Sequence, residues 1–376
     1  MNVLRRLPLS RLLLLCGLVV AVGASLTALA SALGSGPAPQ PKALPVAVHD
    51  ALTAPPVEGF SANVKLTNKL LEGVDLASGS SSGPGQLASS PLLSGATGRL
   101  WVAKDGRVRL ELQAEKGDSQ IYYDGHTVSL YDAASNTLYR YTPTSGGTSY
   151  APLPKTGTDA AGSDHHEAPS VAKIEESISK LKQHANVSGA TPGDVAGQPT
   201  YTVRVSPNEG GSLIGGAELS WDANNGTPLR AAVYSSTSSS PVIELAATDE
   251  VSYGPVSASV FEFKPPAGAK VQDVTLPEKT ASSTTGSPAD SGTQPKVTQH
   301  GTGISSVVVA EHPQSSGTKA TSTLPEGLPR VKINGLTATE LPTALGTILS
   351  FERSGVQYVL GGFVSPSTIE AVARGL

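Results

Sequence analysis

Few residues in this chain have the types and spacing that chemistry needs. Gly79-Ser80-Ser81-Ser82-Gly83 matches the Gly-x-Ser-x-Gly spacing of a serine-hydrolase nucleophile elbow. That spacing works only on a sharp turn from a buried strand into a helix, with a histidine and an acid supplied from elsewhere. Here it lies in Ser/Gly-rich low-complexity sequence and is read as a chance match. Asp164-His165-His166-Glu167 offers metal-binding residue types, but adjacent histidines point apart on a strand or helix, and no further His/Cys cluster completes four ligands. The other histidines, His49, His126, His184, His300 and His312, are scattered. Cys16 is the only cysteine and sits inside an apolar run, so the rest of the chain has no disulfide and no thiolate chemistry. No catalytic residue, metal site or cofactor is expected, and an enzyme is the weakest functional reading.

What is patterned is β-structure. From Ala96 to Thr142 five strands follow one another through short turns. Leu100 and Val102 alternate with polar neighbours, Asp105-Gly106 signals a two-residue turn, and Val108, Leu110, Leu112 and Ala114 then alternate with Arg107, Arg109, Glu111, Gln113 and Glu115. Ile121 and Tyr123, the Asp124-Gly125 turn, Val128 and Leu130, the Ser135-Asn136 turn, and Leu138, Tyr139 and Tyr141 continue the series. Before it, Phe60, Ala62, Val64 and Leu66 form a long first strand; after it come Tyr201 to Val205, Ala217 to Trp221, Leu229 to Val233, Ile243 to Ala247, Val251 to Tyr253 and Val260 to Phe263. About ten or eleven strands with few helices define an α+β, mainly β fold: a wide antiparallel sheet that curls into a half-open, unclosed barrel. One amphipathic helix, capped by Ser170, carries Val171, Ile174, Ile178, Leu181 and Ala185 as an apolar stripe and is expected to cover the concave face.

The chain has 376 residues, 38% hydrophobic, with a net charge of −4, which removes nucleic acid as a partner. Residues 1–33 read as a signal peptide: Arg5, Arg6 and Arg11 precede an apolar run from Leu12, and small-residue sites occur at Ala28-Leu29-Ala30 and Ala30-Ser31-Ala32. Leu12 to Leu33 is also long enough to span a bilayer, so an uncleaved anchor is the alternative, and either places the remainder outside the cytoplasm, at the membrane face or in the envelope. A Pro-rich spacer (34–45) leads to a main domain (46–271), in which Val46 to Ala54 suits a short helix. Residues 272–323 read as a Ser/Thr/Pro/Gly-rich linker where only Ile304 to Ala310 suits a strand, and 324–376 as a small α/β segment packing on the main domain. In that tail Leu341, Leu345, Ile348 and Leu349 suit a helix started by Pro342, Val356 to Val364 a strand, and Ser365-Pro366 to Arg374-Gly375 a capped helix.

The order of parts resembles a known family. A leader, a long first strand, "GRLWVAKDGRVRLELQ", "YYDGHTVSLYDAASNTLYRY", an amphipathic helix, "VAGQPTYTVRVSP", "ELSWDANNGTPLRAAVY" and "FEFKPPAGAKV" together resemble the LolA/LppX/RseB(MucB)-like superfamily of exported bacterial carriers and regulators, over about Val57 to Val271. The tail is similar to an accessory segment of actinobacterial members. The resemblance implies a half-open barrel whose cavity takes lipid or lipoprotein acyl chains, and, in the RseB-like branch, a membrane anti-sigma factor as partner together with sensing of envelope lipids. The basic cavity residue of the lipoprotein carriers has no matching position here. Leu66, Leu100, Val102, Val108, Leu110, Leu112, Ile121, Tyr123, Val128 and Leu130 are expected to line the cavity under Ile174, Ile178 and Leu181, with Tyr131, Tyr139 and Tyr141 as an aromatic rim.

Overall fold

The computed structural model describes residues 38–72, 74, 90–115, 117–142, 168–274, 296–313, 324 and 327–376. The leader with Cys16, the Gly79–Gly83 motif and the His165-His166 pair lie outside the described residues. Turn chemistry lays down the first half of the sheet. Helix α1 (Leu44–Thr53) and strand β1 (Gly59–Asn68) precede a one-turn helix, α2 (Pro91–Ser94), and then β2 (Ala96–Ala103) and β3 (Val108–Ala114). Between β2 and β3, Gly106 takes φ +88°, a left-handed value that glycine adopts at no steric cost, and Ala103 N–H donates to Arg107 O at 2.8 Å. Strands β4 (Gly117–Tyr123) and β5 (Val128–Asp132) meet over a loop in which the Asp124 carboxylate accepts from the backbone of His126 and Thr127 at 2.8 and 2.7 Å. Strand β6 (Thr137–Tyr141) completes the meander.

Helix α3 (Val171–Leu181), capped by the Ser170 side chain, is followed by β7 (Ala185–Val187), β8 (Thr191–Val195), β9 (Gln198–Pro207), β10 (Ile214–Asp222), β11 (Pro228–Ser235), β12 (Pro241–Ser252) and β13 (Lys270–Asp273). These join one wide mixed sheet of 13 strands, in the order β13-β6-β5-β4-β3-β2-β1-β12-β11-β10-β9-β7 with β8 also on β9, and it is not closed into a barrel. Every pairing is antiparallel except β13 with β6, which is parallel. Val260 to Phe263, expected as a strand, instead runs out of a short 3-10 turn (Ala258–Phe261), and Phe263 lays its ring on Tyr122 and Tyr131 of the sheet.

Cross-strand partners share a face, so register assigns the sides. Tyr139, Leu130, Ile121, Leu110, Leu100 and Ala62 stand opposite one another across β6 to β1, and Leu66, Leu245, Ala231, Leu219 and Val203 continue the same face across β12 to β9. The apolar face is therefore continuous over both halves of the sheet. The opposite face is ionic: Arg204 pairs with Glu218 at 3.2 Å, Arg230 with Glu218 at 2.8 Å and with Glu244 at 2.6 Å, and Tyr234 donates to Glu218 at 2.7 Å. Burial pushes the Glu218 carboxyl up, yet its hydrogen bonds from Arg230 and Tyr234 outweigh this and hold it below the usual carboxylate range.

A second, six-stranded sheet, ordered β14-β15-β19-β18-β17-β16, comprises β14 (Lys296–His300), β15 (Val307–Pro313), β16 (Arg330–Ile333), β17 (Leu336–Thr343), β18 (Gly346–Arg353) and β19 (Val356–Gly362), with helix α4 (Pro366–Arg374) capped by Ser365. Two readings are corrected here. The stretch 272–323 contains β14 and β15, so it is not wholly a linker, and Val307 and Val309 belong to the core of this sheet with Leu349, Leu360 and Ile369. Residues Leu341 to Leu349 form a β-hairpin, not a helix: the Thr343 hydroxyl accepts from the backbone of Gly346 at 3.0 Å and donates to its carbonyl at 2.7 Å, fixing a turn, while β-branched Thr347 and Ile348 favour extended backbone. The two sheets meet through backbone hydrogen bonds, Leu213 N–H to Phe363 O at 2.7 Å and Ala344 N–H to Leu70 O at 3.0 Å.

Glu340 lies on β17, 5% exposed, with its Oε1 atom lacking a hydrogen-bond partner. Burial raises its pKa, and the Glu370 carboxylate of α4 adds to this, although Glu370 is itself paired with Arg374. A carboxyl whose pKa is raised by folding favours the folded state fully below the ordinary carboxylate range and loses that contribution as pH rises through the raised value. Glu340→Gln is therefore expected to raise the melting temperature at neutral pH and to change it little in acid; equal shifts at both pH values in a thermal melt would contradict this.

Candidate functional site

The apolar face falls into three zones. Over β7, β9 and β10 it is sealed: Leu44, Ala47 and Val48 of α1 and Ile174 and Ile178 of α3 form one core with Val187, Tyr201, Val203, Val205 and Trp221, and Leu181 packs against it. In the middle, Phe60, Ala62, Val64, Leu229 and Ala247 are buried, with Val195-Ala196 from the tip of the β8–β9 hairpin and Tyr253 packed against them. Tyr253 lies on the Phe60 ring at 6.0 Å between centroids and donates its hydroxyl to the buried Asp222. Its pKa is raised, by burial first and by Asp222 second.

The third zone, β2 to β6, stays open among the described residues. Leu100, Val102 and Leu110 pack against the edge of that middle core and, with Val108, Ile121, Tyr123, Leu130, Tyr139 and Tyr141, are only partly buried, and Val128 is 38% exposed. At one end α2 lies against β1, β3 and β4, Asn68 donates to Leu92 O at 2.8 Å, and Leu112 and Ser119 are fully buried there. Among the described residues the one charged side chain on this face of β2 to β6 is Asp132, at a strand end, and its carboxylate is bound into the adjoining turn by Ala134 N–H at 3.2 Å and the Ser135 hydroxyl at 2.6 Å. A surface of this kind offers apolar contact and no ionic anchor for a polar group.

Register brings together the expected lining residues Leu66, Leu100, Val102, Val108, Leu110, Leu112, Ile121, Tyr123, Val128 and Leu130 on one face. It separates them from Ile174, Ile178 and Leu181, which cover the β9–β10 half instead. Tyr131 leaves the aromatic rim: it pairs with Gln120 and Leu138 on the opposite face, where its ring meets Phe263 at 5.6 Å. Phe263 also covers Tyr122 at 4.4 Å, whose pKa is pushed up to about 12, chiefly by burial. Leu245, Val195 and Tyr253 pack against the middle core and were not expected there; the period-2 alternation of Ile243, Leu245 and Ala247 was the available signal.

No three His, Cys, Asp or Glu side chains gather as metal ligands among the described residues, and no helix among them is long and apolar enough to cross a membrane. Residues 87–149, covering β2 to β6, match the family described as "Predicted periplasmic protein (DUF2092)". Solved structures that align with the chain include the Pseudomonas aeruginosa MucA/MucB complex, at 16% identity over 88% of this chain and 94% of that one with a TM-score of 0.39. They also include an uncharacterized conserved protein from Thermus thermophilus, at 9% identity over 61% and 98% with a TM-score of 0.34. A LolA superfamily protein from Nitrosomonas europaea aligns at 9% identity over 85% and 90% with a TM-score of 0.17. No curated protein matches the chain.

Proposed function

We propose that this chain is an exported, non-enzymatic carrier that holds lipid or lipoprotein acyl chains against the β2–β6 floor. One observation carries the reading: a contiguous row of only partly buried apolar side chains, Leu100, Leu110, Ile121, Leu130 and Tyr139, on a face of β2 to β6 with no free charge among the described residues. Burial of each CH₂ is worth about 0.8 kcal/mol, and association costs roughly 4–15 kcal/mol. A guest must then bury on the order of five to twenty methylenes, which is acyl-chain scale. The leader and the periplasmic description of the family matching residues 87–149 agree with an extracytoplasmic setting. Native mass spectrometry of protein purified without detergent is expected to show co-purifying lipid, and a fluorescent fatty acid to bind; empty spectra together with no uptake would end the proposal.

A second reading, a regulator that grips a membrane anti-sigma factor, is favoured by the sheet's β6 edge. Among the described residues only β13 covers it, with four residues all exposed, so the pairing rests on backbone hydrogen bonds at an exposed edge and the Arg140–Asp273 pair at 3.1 Å. An extended partner segment can take its place by strand addition. Asp273→Arg, which sets two cations against each other, is then expected to increase capture of the extracytoplasmic segment of an anti-sigma factor in a pull-down. No capture by either protein, with or without lipid, removes this reading.

A further inference from the structure

Between the two sheets lies a cleft of about 670 Å³, within the range of small-ligand sites. Its first wall is the end of the apolar face: Leu70 follows β1, and Ile243, paired with Asn68, stands two residues from Leu245 on the same side. Its second wall is a row across the other sheet, where Val308 stands opposite Gly361 and Gly361 opposite Ile348, with Phe363 beside it. Val308, Ile348 and Phe363 are 43%, 37% and 52% exposed, unusual for large apolar side chains beside a domain junction.

We propose that this cleft receives the distal end of a hydrocarbon chain whose nearer part rests on the β2–β6 floor, and that it sets chain-length preference; this rests on the carrier reading above. Three features fit hydrocarbon rather than peptide. The cleft's first wall shares a face with the floor, in register through Leu66, Leu245 and Ile243. The hydroxyls in its wall are already spent on backbone carbonyls: Ser306 donates to Gly303 O at 3.0 Å, Thr343 to Gly346 O at 2.7 Å and Thr347 to Val364 O at 2.9 Å. A peptide's C=O groups would find these three hydroxyl protons already taken, whereas methylenes lose nothing. Finally, the middle of the row is a notch. A Cβ added at Gly361 meets nothing within 4 Å, whereas one at neighbouring Gly362 would come within 2.8 Å of Ser306 O.

Gly361→Leu fills the notch from a backbone position that tolerates a side chain. Binding of laurate, palmitate, arachidate and behenate to the full chain is measured by displacement of a fluorescent fatty acid. The wild type is expected to favour the longer acids. Gly361→Leu should weaken arachidate and behenate at least tenfold, about 1.4 kcal/mol or roughly two methylenes of burial, and leave laurate unchanged. Ile348→Asn, at an exposed position of the same row, should give the same selective loss by another route. Identical chain-length profiles in all three proteins would overturn the cleft while leaving the floor standing. Failure of the wild type to bind any acid would overturn the carrier reading and the cleft with it. A wild-type dimer in sedimentation velocity that Gly361→Leu turns into a monomer would give the cleft to a second copy and overturn the proposal.

Discussion

Leu110→Asp is expected to abolish uptake of a fluorescent fatty acid, with affinity falling a hundredfold or more, while the melting temperature moves by only a few degrees. Leu110 stands in the floor's row, opposite Leu100 on one side and Ile121 on the other. It packs on the edge of the Phe60 core but is only partly buried, so in the empty protein an aspartate there keeps part of its hydration. A bound chain would remove that water. A carboxylate desolvated without a partner costs several kcal/mol, and no cation on this face of β2 to β6 is available to pair with it. The loss should therefore appear in binding rather than in folding. Gln113→Asp, on the same strand but the ionic side, gives the comparison: it adds the same charge and should leave affinity within twofold. If Leu110→Asp stays folded and binds nearly as well as the wild type, the guest does not lie on the floor.

The parts of this site that were legible in the sequence are those governed by local rules. Asp105-Gly106 and Asp124-Gly125 marked two hairpins, and the alternation of Leu100, Val102, Val108, Leu110, Ile121, Val128 and Leu130 then placed those residues on one side, with Trp101 and Tyr122 on the other. What covers that side was not legible. The stripe Ile174, Ile178 and Leu181 says only that α3 needs an apolar surface, and the surface runs the whole width of the sheet, so pattern alone does not select the β9–β10 half. Contact with α1 does, since Leu44, Ala47 and Val48 already stand there. Tyr131 was misplaced by grouping tyrosines by type when its odd position puts it opposite Gln120. Strand β14 left almost no signal, because Val297 is its single apolar residue and is 62% exposed; such an edge is held by backbone hydrogen bonds and carries no hydrophobic period. The cleft was invisible for a different reason: Ile243 and Gly361 are far apart in sequence, and a glycine gains meaning as a notch only when its neighbours in register, Val308 and Ile348, are known.

Trp221→Ala should show the reverse signature, a large loss of stability with the floor intact. Trp221 is 3% exposed and belongs to the core that joins both helices to β9 and β10, with its ring 6.2 Å from that of Tyr201 between centroids. Truncating a buried tryptophan removes its transfer free energy and leaves a cavity, together about 3–5 kcal/mol, or a fall of roughly 6–20 °C in melting temperature for a domain of this size. The damage should also be directional. Tyr201 donates its hydroxyl to Gln40 O at 2.5 Å, so loosening this core frees the segment before α1 as well as α1 and α3. Hydrogen exchange is expected to quicken in α1, α3, β7, β9 and β10 and to stay slow in β2 to β5, whose ladder and turns touch none of these groups. Because the guest rests on the latter strands, the variant should still bind a fatty acid below its lowered melting temperature. Equal loss of protection across the whole sheet would mean that the sealed and open halves fold as one cooperative unit, and a cost under about 1 kcal/mol would mean that the helices are held in place by something other than this core.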